Sequence, residues 1–264
     1  MAAMLSASCA TLPMPKATAE DLDQLDHLRY SAPGQEVGAL RAGSPEGLRV
    51  LYVHGSPGKA EDWLRFLLDP IPGTDSIAID RPGYRSSDEG PVPALVDQAA
   101  AIVPLLEARN GRWPILVGHS LGGPIIAQVA ALHPDRVGSL VIVAGSLDPE
   151  LERRRWFNYA AKGLSWILPA MLRRSNQEIW DLKPELEALA SQLGTIRCPV
   201  TIVHGKRDRL VPYANVAFMQ RSLTGARSVE LISMEEANHF LLWKEPYESE
   251  LRRAIQRLVE GPAD

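Results

Sequence analysis

From residue 49 onward, short β-branched apolar runs alternate with longer amphipathic stretches, and this alternation constrains the fold most strongly. We predict strands at residues 49–53, 76–79, 114–118, 139–143, 199–203 and 228–232. Apolar runs of this length, each closed by a turn, are typical of strands buried on both faces. Helices between such strands cover both faces of a mostly parallel sheet. The sequence therefore predicts an α/β domain with a central sheet flanked by helices.

The amphipathic stretches predict helices at about 60–68, 94–108, 121–133 and 246–259. Gly261 and Pro262 follow the last of these, as glycine and proline commonly follow helix ends. Weaker strand candidates near Arg29 and at 37–41 would pair at one edge of the sheet.

The strand pattern stops at about residues 148–197, where helical segments are rich in large apolar residues. An insertion of this length between neighbouring strands is usually a cap or lid. We predict a helical cap here, inserted before the strand at 199–203, with Pro169 and Pro184 interrupting its helices. Most of its tryptophans are expected to pack against the body, and one or two to line an apolar pocket.

Composition excludes several classes of protein. The 264 residues carry 28 Lys and Arg against 32 Asp and Glu, a net charge of −4 that offers no footprint for nucleic acid. No apolar run approaches the ~18 residues that a transmembrane helix needs. Cys9 and Cys198 are too few and too far apart for a disulfide framework or a thiolate metal site. We therefore expect no nucleic-acid partner, no transmembrane segment and no metal.

Residues 1–28 carry little structural signal, and we assign them to a variable head that precedes the domain at 29–264. The stretch Leu5-Ser6-Ala7-Ser8-Cys9 resembles the end of a bacterial lipoprotein signal, although Ser6 stands where Leu is preferred. We expect a cytoplasmic location. The alternative is a lipid anchor at Cys9 if the true start lies upstream, and the oligomeric state stays open.

One motif carries a specific chemistry. The run Gly118-His119-Ser120-Leu121-Gly122 follows a predicted strand and begins a predicted helix. A Gly-x-Ser-x-Gly run alone is weak evidence, but in this context it is typical of a nucleophile elbow, where a strained serine projects from the sheet edge. A serine that only capped the helix would not need glycine on both sides.

On this motif the chain resembles the α/β-hydrolase superfamily, over about residues 45–260. A serine nucleophile needs a base oriented by an acid, and the family places both after the serine, acid first. The stretch from Val203 to Pro212 resembles the acid loop and points to Asp208, and Asn238-His239-Phe240 resembles the histidine loop. The resemblance therefore implies a triad of Ser120, Asp208 and His239.

The alternatives to this triad lie elsewhere in the sequence. Asp148 follows the preceding strand, where some family members carry the acid. The remaining histidines lie in motif turns, at a helix end, beside a glycine or in the head, and none is placed to reach the serine: His27, His54, His119, His133 and His204.

The resemblance also implies two backbone donors for an oxyanion. One is the N–H of Leu121, directly after the nucleophile. The other comes from the His54-Gly55-Ser56-Pro57-Gly58 loop, where Ser56 is the candidate because proline has no N–H. The alternative for this loop is a plain Gly/Pro turn.

Two positions depart from the family pattern. In the turn after the second strand, which begins at Asp80, Arg85 replaces a glycine. Asn238 stands where a glycine commonly precedes the histidine, and asparagine tolerates left-handed backbone.

These features predict a serine carboxylesterase that cleaves small to medium apolar esters through an acyl-enzyme, without a cofactor. The same triad could cleave thioesters, amides or carbon–carbon bonds, or transfer acyl groups, because fold and triad do not separate these reactions. A non-catalytic ligand-binding module of this fold is the remaining alternative.

Overall fold

An eight-stranded sheet runs through the computed structural model, which describes residues 16–84, 92–152, 159, 162, 163, 166 and 168–261. The strand order is β1-β2-β4-β3-β5-β6-β7-β8. The strands are β1 (Asp26–Ala32), β2 (Gln35–Gly43), β3 (Leu48–Val53), β4 (Thr74–Ile79), β5 (Ile115–His119), β6 (Ser139–Val143), β7 (Val200–Gly205) and β8 (Val229–Met234). Strands β3 to β8 are parallel to one another, and β1 and β2 join antiparallel at one edge. The predicted mostly parallel sheet is confirmed.

Helices cover both faces of this sheet. They are α1 (Ala19–Asp23), α2 (Leu64–Leu68), α3 (Leu95–Ala100), α4 (Gly122–Leu132), α5 (Ala170–Ala190), α6 (Asn215–Ser222) and α7 (Tyr247–Glu260). Alternate residues of each central strand face opposite sides. In β3, Leu51 and Val53 join a buried cluster with α3 to α6, whereas Val50 and Tyr52 join a second cluster with α2 and α7.

Two predicted helices differ from the structure. The predicted helix at 94–108 is α-helical only over Leu95–Ala100, followed by a 3₁₀ turn at Val103–Leu105 that contains Pro104. Proline lacks the N–H that a continuing α-helix requires, which explains the early end. The predicted helix at 60–68 begins as a 3₁₀ turn and becomes α-helical at Leu64.

Pro184 does not interrupt the helix around it, contrary to the sequence prediction, but lies inside the 21-residue helix α5. The same helix buries Leu182, Leu186 and Leu189 at spacings of four and three residues. Burial of this apolar stripe offsets the hydrogen bond that proline removes, since tertiary packing supplies most of the stability of protein helices.

Between β6 and β7, in the stretch that we name the cap segment (residues 148–197), the described residues include α5 and no strand. Trp166 is 79% exposed, so it is not among the cap tryptophans that pack against the body. Trp156, Phe157 and Ile167 lie outside the described residues, as do Cys9 and Arg85.

Within residues 1–28, which the sequence analysis assigned to the head, lie α1 and the start of β1. Cys198 is buried, as its place beside β7 suggested. Within the described ranges, no helix is both long and apolar enough to span a bilayer.

Candidate active site

Ser120 occupies a strained turn between β5 and α4. Its φ is 54°, and only two other non-glycine residues of the described chain, Asn110 and Ala144, have a positive φ. Positive φ costs free energy for a residue with a side chain and is held by the surrounding structure. The Ser120 N–H donates to the Val143 carbonyl at 2.9 Å, and the Ser120 carbonyl accepts from the Gly123 N–H at 3.0 Å. These bonds fix the elbow between two neighbouring strand ends.

The glycines around Ser120 are required by close backbone contacts. A Cβ on Gly118 would overlap the Gly122 carbonyl oxygen, and a Cβ on Gly122 would overlap the carbonyl oxygen of Val53 in β3. The strand and helix therefore approach each other more closely than any side chain allows, as the elbow motif predicts.

Asp208 and His239 form a buried hydrogen-bonded pair on the loops that follow β7 and β8. Asp208 Oδ2 lies 2.7 Å from His239 Nδ1, and each residue is 7% exposed. Asp208 Oδ1 accepts from the N–H groups of Leu210 and Val211, both at 2.8 Å. Three hydrogen bonds thus hold the carboxylate, and the carboxylate fixes the orientation of the imidazole ring.

Asp148, the alternative acid, makes different contacts. Its carboxylate accepts from the Glu150 N–H at 2.9 Å, and its own N–H donates to the side chain of Asn215 at 2.8 Å. The structure brings Asp208, and not Asp148, to the histidine loop.

His119 connects the elbow to the histidine loop. Its Nε2–H donates to the His239 carbonyl at 3.1 Å, and the two imidazole rings lie 4.9 Å apart, centre to centre. Burial and the neighbouring His239 lower the pKa of His119 to about 3, so His119 is neutral at physiological pH. Among the described residues, no hydrogen bond joins the Ser120 hydroxyl to His239; such bonds are often long before substrate binds.

His204 supports the acid loop. Its Nε2–H donates to the Val211 carbonyl at 3.1 Å, and burial lowers the pKa of His204. His204 Nε2 also lies 3.7 Å from Asp208 Oδ2, the oxygen that binds His239. Being neutral, His204 does not compete with His239 for the charge of Asp208.

The loop predicted to supply an oxyanion donor lies directly against Ser120. A Cβ added to Gly55 would lie 2.9 Å from the Ser120 Cβ, so the two segments are in close contact. His54 is fully buried, and burial followed by the nearby Arg81 guanidinium lowers its pKa. Its Nε2 accepts from the Arg81 N–H at 3.1 Å, and its Nδ1 lies 2.8 Å from the Gly55 carbonyl.

A buried cluster beside this loop escaped the sequence analysis. Glu178 of α5 is 3% exposed and pairs with Arg81, which is 1% exposed, through an Nη1–Oε1 distance of 2.8 Å. The hydroxyls of Tyr84 and Ser56 each donate to Glu178 Oε2 at 2.6 Å. Burial alone disfavours the guanidinium charge, but Glu178 and Tyr84 outweigh it and raise the pKa of Arg81. The cluster therefore joins the Arg81–Glu178 salt bridge to the loop at residues 54–58 that is predicted to supply an oxyanion donor, which we name the oxyanion loop.

One sequence signal could have drawn attention to this cluster. Glu178 falls on the same face of α5 as Leu182, Leu186 and Leu189, at helical spacing from them. A carboxylate in an apolar stripe requires a buried partner. Nothing local identifies that partner as Arg81, 97 positions away.

A cavity of about 760 Å³ opens beside the Asp208–His239 pair. Its walls include the exposed side chain of Leu210 and the half-buried Phe240, together with Lys206 and Arg207. Both cations are paired, Lys206 with Glu235 and Arg207 with Glu236. The described part of the chain holds no group of three or more His, Cys, Asp or Glu residues that could bind a metal ion.

Comparisons with known proteins agree with this architecture. The profile of the alpha/beta hydrolase fold family matches residues 49–178. Esterase Rv0045c of Mycobacterium tuberculosis is 32% identical over 285 aligned positions, covering 89% of this chain and 91% of the relative. Non-heme chloroperoxidase of Streptomyces lividans is 27% identical over 250 positions, covering 77% of this chain and 89% of the relative.

A solved structure shows a similar likeness at the level of the fold. Monoacylglycerol lipase of Paleococcus ferrophilus superposes with a TM-score of 0.67 at 20% identity, covering 86% of this chain and 99% of the lipase. At this identity the likeness shows the fold alone. Together with the esterase relative, it establishes that the chain belongs to the alpha/beta hydrolase fold family.

Proposed function

We propose that this protein is a serine carboxylesterase that hydrolyses small to medium apolar esters through an acyl-enzyme. The observation that carries the proposal is the buried 2.7 Å contact between Asp208 and His239, on loops adjoining the strained Ser120 turn. A hydroxyl held in this way is a serine nucleophile once a base removes its proton.

In this mechanism His239 Nε2 takes the proton of Ser120 as its Oγ attacks the ester carbonyl. Asp208 keeps the His239 proton on Nδ1, so that Nε2 is free to accept, and stabilises the imidazolium that forms. The backbone N–H groups of Ser56 and Leu121 bind the developing oxyanion. His239 returns the proton to the leaving alcohol, and the same groups then activate water to release the acid.

The ester preference rests on two supports. The relative with 32% identity is named an esterase, and the structural neighbour is named a monoacylglycerol lipase. The cavity beside His239 includes Phe240 and Leu210 in its walls, which suit an apolar acyl or alcohol group. Esters of moderate chain length match this volume and lining.

The test is a panel of p-nitrophenyl esters from acetate to dodecanoate, run on wild type, Ser120→Ala and Ser191→Ala. Ser191 is exposed at the end of α5 and controls for loss of a hydroxyl. We expect preference for short to medium chains, unchanged kcat in Ser191→Ala and near-complete loss in Ser120→Ala. Mass spectrometry after a fluorophosphonate probe should place one adduct on Ser120. Comparable turnover by Ser120→Ala, or a wild type without adduct, would refute the proposal.

The panel also separates related chemistry. Thioester and anilide analogues of the best ester report whether the same site cleaves other acyl bonds, because the triad alone does not discriminate among them. A wild type that forms the adduct yet turns over none of the esters would assign the protein to one of these other reactions.

A further inference from the structure

Glu178, in helix α5 of the cap segment, contacts the oxyanion loop. Its Oε2 accepts from the Ser56 hydroxyl at 2.6 Å, and Ser56 Oγ also lies 3.0 Å from Ser175 Oγ, one turn earlier in α5. The Ser56 side chain is therefore directed toward α5. The mechanism uses the backbone N–H of Ser56. Because Glu178 bonds to the side chain of Ser56, this N–H is not bonded to the carboxylate.

Arg81 also donates hydrogen bonds to the same loop. Its Nη2 donates to the Gly55 carbonyl at 2.9 Å, and its Nη1 and Nη2 donate to Glu178 at 2.8 and 3.2 Å. The Arg81 backbone N–H also donates to the imidazole of His54 at 3.1 Å. Two successive residues of the loop are thus bonded to Arg81, His54 through the backbone N–H and Gly55 through the guanidinium. Glu178 pairs with the same guanidinium and holds it in place.

The placement of this loop matters on the scale of the contacts around Ser120. Gly55 approaches the Ser120 side chain so closely that no Cβ fits between them. A shift of the loop by about 1 Å would move the Ser56 N–H out of line with the oxyanion, and misplacements of this size can cost ~10²-fold in rate. A buried ionic network held by several hydrogen bonds resists such a shift better than apolar contacts, because its hydrogen bonds are directional.

We propose that Glu178 is a positioning residue for the reaction, which acts through Arg81 and Ser56 to hold the oxyanion loop in its reactive geometry. The inference rests on the proposed function, since it assigns the oxyanion to the Ser56 N–H. It also couples the cap segment to catalysis: only a cap segment seated with Glu178 against Arg81 completes the site.

The experiment compares Glu178→Gln with Glu187→Gln in the full-length protein. Glu187 lies on the same helix, with its carboxylate exposed and paired with Lys183, so its exchange controls for the chemistry of the substitution. In Glu178→Gln we expect kcat to fall about 10- to 100-fold with KM changed less than about threefold, because only transition-state binding is lost. A trifluoromethyl ketone of matched chain length, which forms a tetrahedral adduct with serine, should lose affinity by a similar factor. Glu187→Gln should match wild type.

Ser56→Ala gives a second, milder measurement that keeps the backbone N–H and changes no charge. It removes one bond to Glu178, and we expect kcat to fall about 3- to 10-fold with KM unchanged. If Glu178→Gln does not fold, the kcat of Ser56→Ala decides whether the positioning role stands. Each activity is divided by the concentration of reactive serine, which is measured as the amount of fluorophosphonate bound once labelling is complete.

Two results would overturn the inference. One is a folded Glu178→Gln with wild-type kcat and ketone affinity. The other is a rise in KM alone, which would make Glu178 part of substrate binding by the cap segment. If Ser120→Ala is inactive while Glu178→Gln and Ser56→Ala are fully active, the esterase mechanism stands and only the positioning role fails.

Discussion

Replacing Asp208 with asparagine changes one oxygen of a carboxylate that makes three hydrogen bonds. Oδ1 keeps the N–H groups of Leu210 and Val211, both at 2.8 Å. In the native protein, Oδ2 accepts a hydrogen bond from His239 Nδ1 at 2.7 Å. In the variant, an amide NH₂ takes the place of Oδ2. An NH₂ group cannot accept a hydrogen bond from Nδ1–H. His239 must therefore move its proton to Nε2, where the reaction needs a free lone pair.

The expected loss follows from this tautomer. The equivalent exchange in serine proteases lowers kcat by about 10⁴, which corresponds to about 5.5 kcal/mol of transition-state stabilisation. The expected loss of folding stability is smaller. One charge-assisted hydrogen bond contributes about 1.5–3 kcal/mol, and each kcal/mol shifts the melting temperature of a chain this size by about 2–4 °C. The variant should therefore be folded at 25 °C and nearly inactive.

The assay measures kcat on the best p-nitrophenyl ester together with thermal and urea unfolding. Asp148→Asn is the matched control, because the Asp148 carboxylate accepts a local N–H from Glu150 and Asp148 was the alternative acid. We expect its kcat to stay within about threefold of wild type. A folded Asp208→Asn that keeps more than a tenth of kcat refutes the assignment of the acid. A large loss in Asp148→Asn alone would transfer the role to Asp148.

Two further predictions concern stability. Burial raises the pKa of Asp62 from 3.8 to about 7, so the folded protein binds a proton there that the unfolded chain releases, and this group lowers stability as pH rises from about 4 to 7. Asp62→Asn should therefore be more stable than wild type at pH 8, by at most about 4 kcal/mol, and should lose this advantage near pH 4. The same difference in urea midpoint between variant and wild type at both pH values would contradict this prediction. Gly122→Ala places a Cβ against the Val53 carbonyl oxygen and 3.0 Å from that of His54, so we expect a loss of about 3 kcal/mol or more. Gly194→Ala, whose Cβ would meet only the Thr224 hydroxyl at 3.1 Å, should change the urea midpoint little; equal effects of the two would show that the elbow is not tightly packed.

The features that could be predicted from sequence are those that local chemistry specifies. Strand β6 was predicted at its observed limits, Ser139–Val143, because a buried parallel strand is a short apolar run closed by turns. The Gly118–Gly122 elbow was recognisable because its glycines are required by contacts within and beside the motif. The loops carrying Asp208 and His239 were located by their resemblance to the acid and histidine loops of the family, each of which follows a strand of the sheet.

Errors arose where tertiary packing outweighs local preference. Pro184 disfavours a helix locally, yet α5 continues through it because Leu182 and Leu186 are buried on one face. The sequence also did not identify which cap tryptophans would pack, and the fold leaves Trp166 79% exposed. Neither outcome can be read from a window of neighbouring residues, because each depends on which elements meet in space.

The sequence by itself therefore determined the sheet and the elbow, since periodicity and turn residues act over a few positions, and its resemblance to the family supplied the order of the candidate triad. Only the tertiary structure decided that Asp208, and not Asp148, lies 2.7 Å from His239. It alone paired Glu178 with Arg81 across 97 positions. The physical reason is burial. A carboxylate and a guanidinium that are buried when a helix packs against the sheet must form a pair, because an unpaired buried charge costs several kcal/mol of folding stability. No local sequence pattern specifies which partner the fold will supply.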